Sequence, residues 1–271
     1  MLSESLLRRR LEERGLSPRL ILLPETGSTN DDAKALAREN PPSPVLIAAS
    51  RQTGGRGRRG RTFLSPEGGL YLSLLIPLPP DCPPSRVVGS TGCAAVAACR
   101  SVEECAGIPA KIKWVNDILV TNPVNGRTGK AAGILCETVT REDTAPHLVI
   151  GIGLNLTSAP DLPDANYPAA RISSPSKPVE PESLCASLTE GFLALAENRF
   201  DFRSVADEYR SRSAVLGREI VFGRNGTVQE GVALSVLDDG SLLVGCADGT
   251  KVLLDSGEIS VRQKQGGRSP Q

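Results

Sequence analysis

The chain has 271 residues, 31 basic side chains against 31 acidic ones, 3% aromatics, 27 glycines and 21 prolines. Zero net charge argues against a general electrostatic footprint for nucleic acid or an anionic membrane, and no apolar run approaches the ~18 residues that span a bilayer. The length suits one sizeable core plus a small second domain, and the glycine- and proline-rich, aromatic-poor composition suits a loop-rich α+β enzyme. The charged N-terminus lacks a signal-peptide core, so a cytoplasmic location is expected.

Residues 1–14 predict a short amphipathic helix with Leu2, Leu6, Leu7 and Leu11 on one side, better explained by docking on the core than by DNA binding. A strand over 20–23 follows. Ser28-Thr29-Asn30 then precedes a helix over 31–39 that stops before Pro41-Pro42; on its own the triplet reads as an N-cap cluster. A strand over 45–50 feeds the most unusual stretch, RQTGGRGRRGR at 51–61, with five arginines and four glycines in eleven residues. Glycine lets backbone come close to a ligand, and arginine brings a fixed fork of donors for carboxylate or phosphate. The stretch contains a G-x-G-x-x-G match at 55–60 and a near match to a P-loop. Both motifs require a helix to begin at the last glycine. Here Thr62-Phe63-Leu64-Ser65-Pro66 and a strand follow instead. A short block between two apolar strands also argues against a disordered RNA-binding tract.

Residues 70–76 form an apolar strand closed by prolines over 77–84. A long helix over 85–106, rich in glycine and alanine, can approach a sheet closely. Residues 111–117, KIKWVND, lead into a strand over 118–120; a turn-rich connection over 121–129 carries Asn125-Gly126 and leads to a strand over 132–138. The next strand spans 147–156, and a loop over 157–181 holds Tyr167. Helices over 182–198 and 200–211 follow. Short strands over 218–222, 227–237, 241–246 and 250–254, separated by Asn225-Gly226, Asp238-Asp239-Gly240 and Asp248-Gly249, predict a small SH3-like barrel. Residues 263–271 read as a disordered tail.

Seven cysteines without a C-x-x-C pair read as reduced, mostly buried apolar residues, and the single histidine, His147, at a strand entrance reads as structural. A histidine-based triad, a zinc site or any other metal held by the chain is therefore not expected. Lys130 stands where a strand begins after a glycine turn, as a catalytic cation or an exposed edge lysine. Asn116-Asp117 can serve a nucleotide, its magnesium or an incoming amine, or simply initiate a turn. Trp114 reads as core. Gly151 and Gly153 within a strand indicate close backbone approach to a ligand, and Asn155 can hydrogen-bond a base.

Five blocks occur in one order: Ser28-Thr29-Asn30, GRGRRGR with Ser65-Pro66 and the strand GLYLSLL, KWVND, KAAGILCE over 130–137, and GIGLN over 151–155. Together they resemble the biotin protein ligases over about residues 21–262. The connection over 121–129 is longer than is usual there, and Val115 stands where proline is more common. The resemblance implies an α+β fold, with a mixed or antiparallel sheet flanked by helices as in class II synthetases, and a C-terminal SH3-like barrel. The expected division is a helix over 1–20, a catalytic domain over 21–214, the barrel over 215–262 and the tail.

It also implies biotin and ATP as substrates, with Mg2+, and a biotin carboxyl carrier domain of acetyl-CoA carboxylase or a related carboxylase as partner. In the resembled family Ser28, Thr29 and Asn30 line the biotin pocket with Gln52, Gly55, Arg56 and Gly57, Arg58 closes over the adenylate, and Lys130 points at the carboxylate and α-phosphate. Gly133, Gly151, Gly153, Asn116 and Asn155 complete the expected binding set, and Lys130, Arg56 and Asp117 the catalytic one. Tyr167 is the candidate for stacking on adenine. About twenty residues precede the motifs, too few for the helix-turn-helix domain of about sixty in biotin-sensing repressors. Specific DNA binding is not expected, lipoate ligation is the rival activity, and a homodimer stays open.

Overall fold

The computed structural model describes residues 2–82, 84–141, 144–162, 167–224, 227–255 and 259–261. Helix α1 (Glu4–Glu12) precedes strand β1 (Arg19–Leu23), helix α2 (Thr29–Ala37) and strand β2 (Val45–Ala49). Strand β3 (Gly69–Pro77), helix α3 (Pro84–Ala106), and strands β4 (Ala110–Lys113), β5 (Asp117–Thr121), β6 (Thr128–Arg141) and β7 (Thr144–Asn155) follow. Seven strands form one mixed sheet in the order β1-β2-β3-β7-β6-β5-β4, in which only β1 and β2 pair in parallel.

Alternation along the strands sorts side chains between two faces. On β7, Leu148, Ile150, Ile152 and Leu154 enter the large core, where α3 and helix α4 (Pro181–Glu197) pack on the sheet. On the opposite face, Val149 joins Val45, Ile47 and Leu75 beneath Ala33 and Ala37 of α2. Helix α2 lies mainly over β2, β3 and β7, and its Asn30 and Lys34 reach Glu137 of β6. The candidate site lies beyond it, on the same face of β6, β5 and β4.

Helix α5 (Ala206–Arg212) leads into β8 (Glu219–Arg224), β9 (Thr227–Val236), β10 (Leu242–Gly245), β11 (Lys251–Leu254) and β12 (Ile259–Val261). These five form an antiparallel sheet in the order β11-β10-β9-β8-β12, with β11 and β12 as its edges among the described residues; closure into a barrel is not seen. Its Ile220, Phe222, Val244 and Leu242 belong to the same apolar cluster as the first sheet's core. Trp114 Nε1 donates to the Gly240 carbonyl at 3.0 Å, so the turn between β4 and β5 rests on the second sheet.

Several local expectations change. KIKWVND is not a lead-in to one strand: β4 and β5 form a hairpin with Lys113 opposite Asp117. Strand β6 begins at Thr128, so Lys130 lies inside the ladder. The helix expected over 200–211 is broken, because Arg199 and Phe200 take φ of 50° and 54° and a 3-10 turn over Phe202–Ser204 precedes α5. Strand β12 was missed. The Asn225-Gly226 turn and the 263–271 tail lie outside the described residues. No helix among the described residues is long and apolar enough to cross a membrane. None of the seven cysteines is in a disulfide, and burial pushes the thiols of Cys99 and Cys185 up to about 12. His147 is 1% exposed, with its ring nitrogens beside the Ala145 and Pro41 carbonyls, as a structural histidine should be.

Candidate active site

The uncovered sheet face is organised by register. Tyr71, Gly153, Gly133, Asp117 and Lys113 fall in one row across five strands, and Ser73, Gly151 and Leu135 fall in the next. The two β7 glycines are needed because other side chains lie on them. A Cβ on Gly151 would stand 1.8 Å from Asn30 Oδ1, and one on Gly153 would stand 2.4 Å from the Phe63 ring. Close approach was expected of a ligand; it is also used to seat Asn30 and Phe63.

Lys130 reaches this face through a bulge. Ile118 pairs with Ala132 but Leu119 pairs with Lys130, which leaves Ala131 as the extra residue. Without it, the odd spacing between Lys130 and Gly133 would put them on opposite faces. The backbone at Lys130 is fixed on both sides, donating to the Pro168 carbonyl and accepting from Ala170, each at 2.8 Å. The Lys130 ammonium lies 2.6 Å from Asp117 Oδ1 and 5.5 Å above the Phe63 ring, while Lys113 lies 3.5 Å from Asp117 Oδ2. Asn116, at the hairpin turn, donates to the Ile134 carbonyl at 2.8 Å.

A cavity of about 400 Å³ opens above this floor. Arg56, Arg58, Arg59, Arg61, Lys113 and Lys130 line it, against one carboxylate among the described residues, Asp117. Such a wall favours anions. Phe63, Leu119, Leu135, Tyr167 and Ile259 supply apolar surface. Arg58 is half-buried, and burial lowers its pKa from the ordinary guanidinium value. Among the described residues Arg58 makes no ion pair, whereas Arg56 reaches Asp31 at 2.8 Å.

Most of the remaining expected residues form a polar network beside the cavity rather than its lining. Gln52 accepts from the Thr29 backbone at 2.9 Å and donates to Ser65 Oγ at 2.9 Å; Ser65 donates to the Phe63 carbonyl. Ser73 donates to Asn30 Oδ1 at 2.6 Å, and the Asn30 amide donates to Glu137 at 2.8 Å. Ser28 stands at the N-cap of α2, 3% exposed, and its hydroxyl makes no cap bond. Gly55 is buried against Phe63 and Ser65, and Gly57 lines the cavity. Asn155 is 4% exposed and donates to the Lys130 carbonyl at 3.2 Å; it supports the lysine from behind and does not line the cavity. Trp114 is buried but shows one edge to the cavity.

Lys113, Phe63, Ile259 and the Glu137–Asn30–Ser73 chain were not expected. Lys113 opens a motif that had been recognised, and Phe63 follows the arginine loop directly. Ile259 had no local signal.

The profile of the biotin/lipoate A/B protein ligase family matches residues 22–155. The chain is 35% identical over 259 residues to the bifunctional ligase/repressor BirA of Bacillus subtilis, covering 92% of this chain and 76% of that one. It is 30% identical to a biotin–[acetyl-CoA-carboxylase] ligase of Mycobacterium tuberculosis over 93% of this chain and 96% of that protein. Among solved structures, the biotin protein ligase of Aquifex aeolicus in complex with biotin and ATP superposes with a TM-score of 0.69 at 25% identity, covering 91% of this chain and 99% of that one.

Proposed function

Because the chain belongs to the biotin/lipoate A/B protein ligase family, we propose that its cavity activates biotin with ATP and then passes biotin to a lysine of a carrier protein. The observation that carries this reading is the placement, among the described residues, of six cations and one carboxylate around a cavity that also meets backbone at Gly57 and Gly133. In the first step a biotin carboxylate oxygen attacks the α-phosphorus, and the bond to pyrophosphate breaks. In the second the carrier's ε-amine attacks the acyl carbon, AMP leaves, and the amine loses a proton. Bringing two anions together is the main barrier, and fixed cations in a water-poor site lower it.

In this reading Lys130 and Arg56 neutralise the reacting carboxylate and α-phosphate, and Arg58, half-buried without an ion pair among the described residues, closes over the adenylate. Ser28, Thr29, Asn30, Gln52 and Gly55 offer hydroxyl, amide and backbone groups to the ureido end of biotin. Gly57 and Gly133 let the alkyl chain lie close to backbone, Gly151 and Gly153 act by seating Asn30 and Phe63 beside it, and Asn116 and Asp117 serve the nucleotide and the incoming amine. Tyr167 and Leu119 are the apolar surfaces available to adenine. Asn155 acts by holding Lys130. Asp117 is the one cavity carboxylate among the described residues, and both its oxygens face lysines. Mg2+ is proposed as the counter-ion that ATP brings, held chiefly by its phosphates.

The acceptor is proposed to be a biotin carboxyl carrier domain of acetyl-CoA carboxylase or a related enzyme, which makes the protein a biotin–[biotin carboxyl-carrier protein] ligase. Specific DNA binding is not proposed: Arg8, Arg9 and Arg10 of α1 pair with Glu4, Glu13 and Glu180, and Arg14 just beyond the helix pairs with Glu104 and Glu190. Purified protein with ATP and either biotin or lipoate, followed by mass spectrometry for the acyl-adenylate and for a carrier domain gaining the acyl group, tests the proposal. Lipoyl-AMP without biotinyl-AMP would replace it.

A further inference from the structure

The Lys113–Asp117–Lys130 cluster contains one member that the reaction above does not use. Lys113 stands on β4 directly across from Asp117, lines the cavity, and keeps 12% of its side chain exposed. Asp117, at 17%, therefore holds a lysine on each oxygen: Lys130 at 2.6 Å and Lys113 at 3.5 Å. A carboxylate this sheltered carries a large penalty if a partner is withdrawn. Yet catalysis requires that withdrawal, because Lys130 must turn from Asp117 to the substrate's carboxylate and phosphate.

We infer, on the ligase reading above, that Lys113 is a positioning residue that acts through Asp117, keeping its charge compensated while Lys130 moves to the reacting anions. The geometry separates the two lysines by task. Lys130 is one row along, across from Leu119, beside the Phe63 ring, and is the more exposed at 32%. Lys113 shares the row of Asp117 and lies deeper, so it is better placed to stay. Its longer separation leaves room for Asp117 to close on it once Lys130 departs. Without Lys113 the carboxylate would either retain Lys130 or stand uncompensated beside two more negative groups, and both outcomes oppose adenylation.

The test is a double-mutant cycle on pyrophosphate release with biotin and Mg-ATP, using Lys113→Met, Lys113→Arg, Asp117→Asn and the pair Lys113→Met/Asp117→Asn. Lys113→Met should slow adenylation at saturating substrates about tenfold or more, with the KM for biotin changed less than threefold. Lys113→Arg should restore most of the rate. Most informatively, Lys113→Met should cost nothing further once Asp117 is Asn, because no buried charge remains to be compensated. A wild-type rate for Lys113→Met would overturn the inference. So would losses that multiply in the pair, which would mean that Lys113 touches substrate itself. Failure of the wild-type protein to form biotinyl-AMP would instead refute the ligase reading.

Discussion

Two side chains in the cavity carry opposite expectations. Lys130 has its backbone fixed by a bulge and two hydrogen bonds, and its ammonium waits on Asp117 within the cavity. Removing one charge-assisted contact at a transition state typically costs about two to three decades in rate. Lys130→Ala should therefore slow pyrophosphate release by that much while affecting transfer from supplied biotinyl-AMP far less; equal losses in both half-reactions would count against an adenylation role. Arg58 is not tied to a carboxylate among the described residues, which suits a group that closes on a ligand. Arg58→Gly should still make biotinyl-AMP but let it escape, so that serum albumin added to the assay becomes biotinylated. Unlabelled albumin in the presence of continued adenylate synthesis would shift the closing role to Arg59 or Arg61.

Among the elements, the arginine loop combines a high density of positive charge with two adjacent left-handed residues. Arg59 takes φ 59°, a left-handed conformation that costs a non-glycine residue roughly 1–2 kcal/mol, and Gly60 follows at φ 75°. Four further arginines share the segment. Anion binding offsets both the repulsion and the ordering cost. Amide exchange over residues 51–61 should slow markedly with biotin or its adenylate; equal protection with and without ligand would contradict this.

Apolar runs and turn residues were enough to place most of β1 to β7; β2 and β3 read as continuous apolar runs because they are buried on both faces. Other features required knowledge of contacts distant in sequence. The bulge at Ala131 is invisible in an all-small KAAG run. The need for Gly151 arises from Asn30, more than a hundred residues away, and β4 was hidden because its alternation is only four residues long. The position of Asn155 behind Lys130 could not be told from a position over adenine, because GIGLN fixes the strand but not which neighbour its last side chain meets.

At the scale of the whole molecule, ion pairs join the helix layer to the sheet and to α5. Arg212 forms two bonds to Glu103 of α3, at 2.6 Å and 2.9 Å, and holds Glu208 on its own helix. The Arg212 hydrogen bond lowers the Glu103 pKa below its ordinary value of 4.5. A carboxylate depressed in the folded state contributes stability above its unfolded pKa and loses it as the pH falls through its folded one. Glu103→Gln should thus lower Tm at pH 7, and the gap to wild type should narrow as the pH drops below about 4.5, as in thermal unfolding followed across pH. A gap that does not depend on pH would mean that Glu103 acts through packing alone.

The chain's single tryptophan, Trp114, is 3% exposed, borders the cavity and is pinned to Gly240. The protein therefore carries its own optical reporter at the junction of its two sheets, with no competing indole. Excited beyond the tyrosine band, it should emit at the short wavelengths of a water-shielded ring. Biotinyl-AMP should change its intensity in a saturable way, giving a titration curve without any label. An emission indifferent to saturating adenylate would place the nucleotide away from the indole edge, on the Tyr167 side of the cavity.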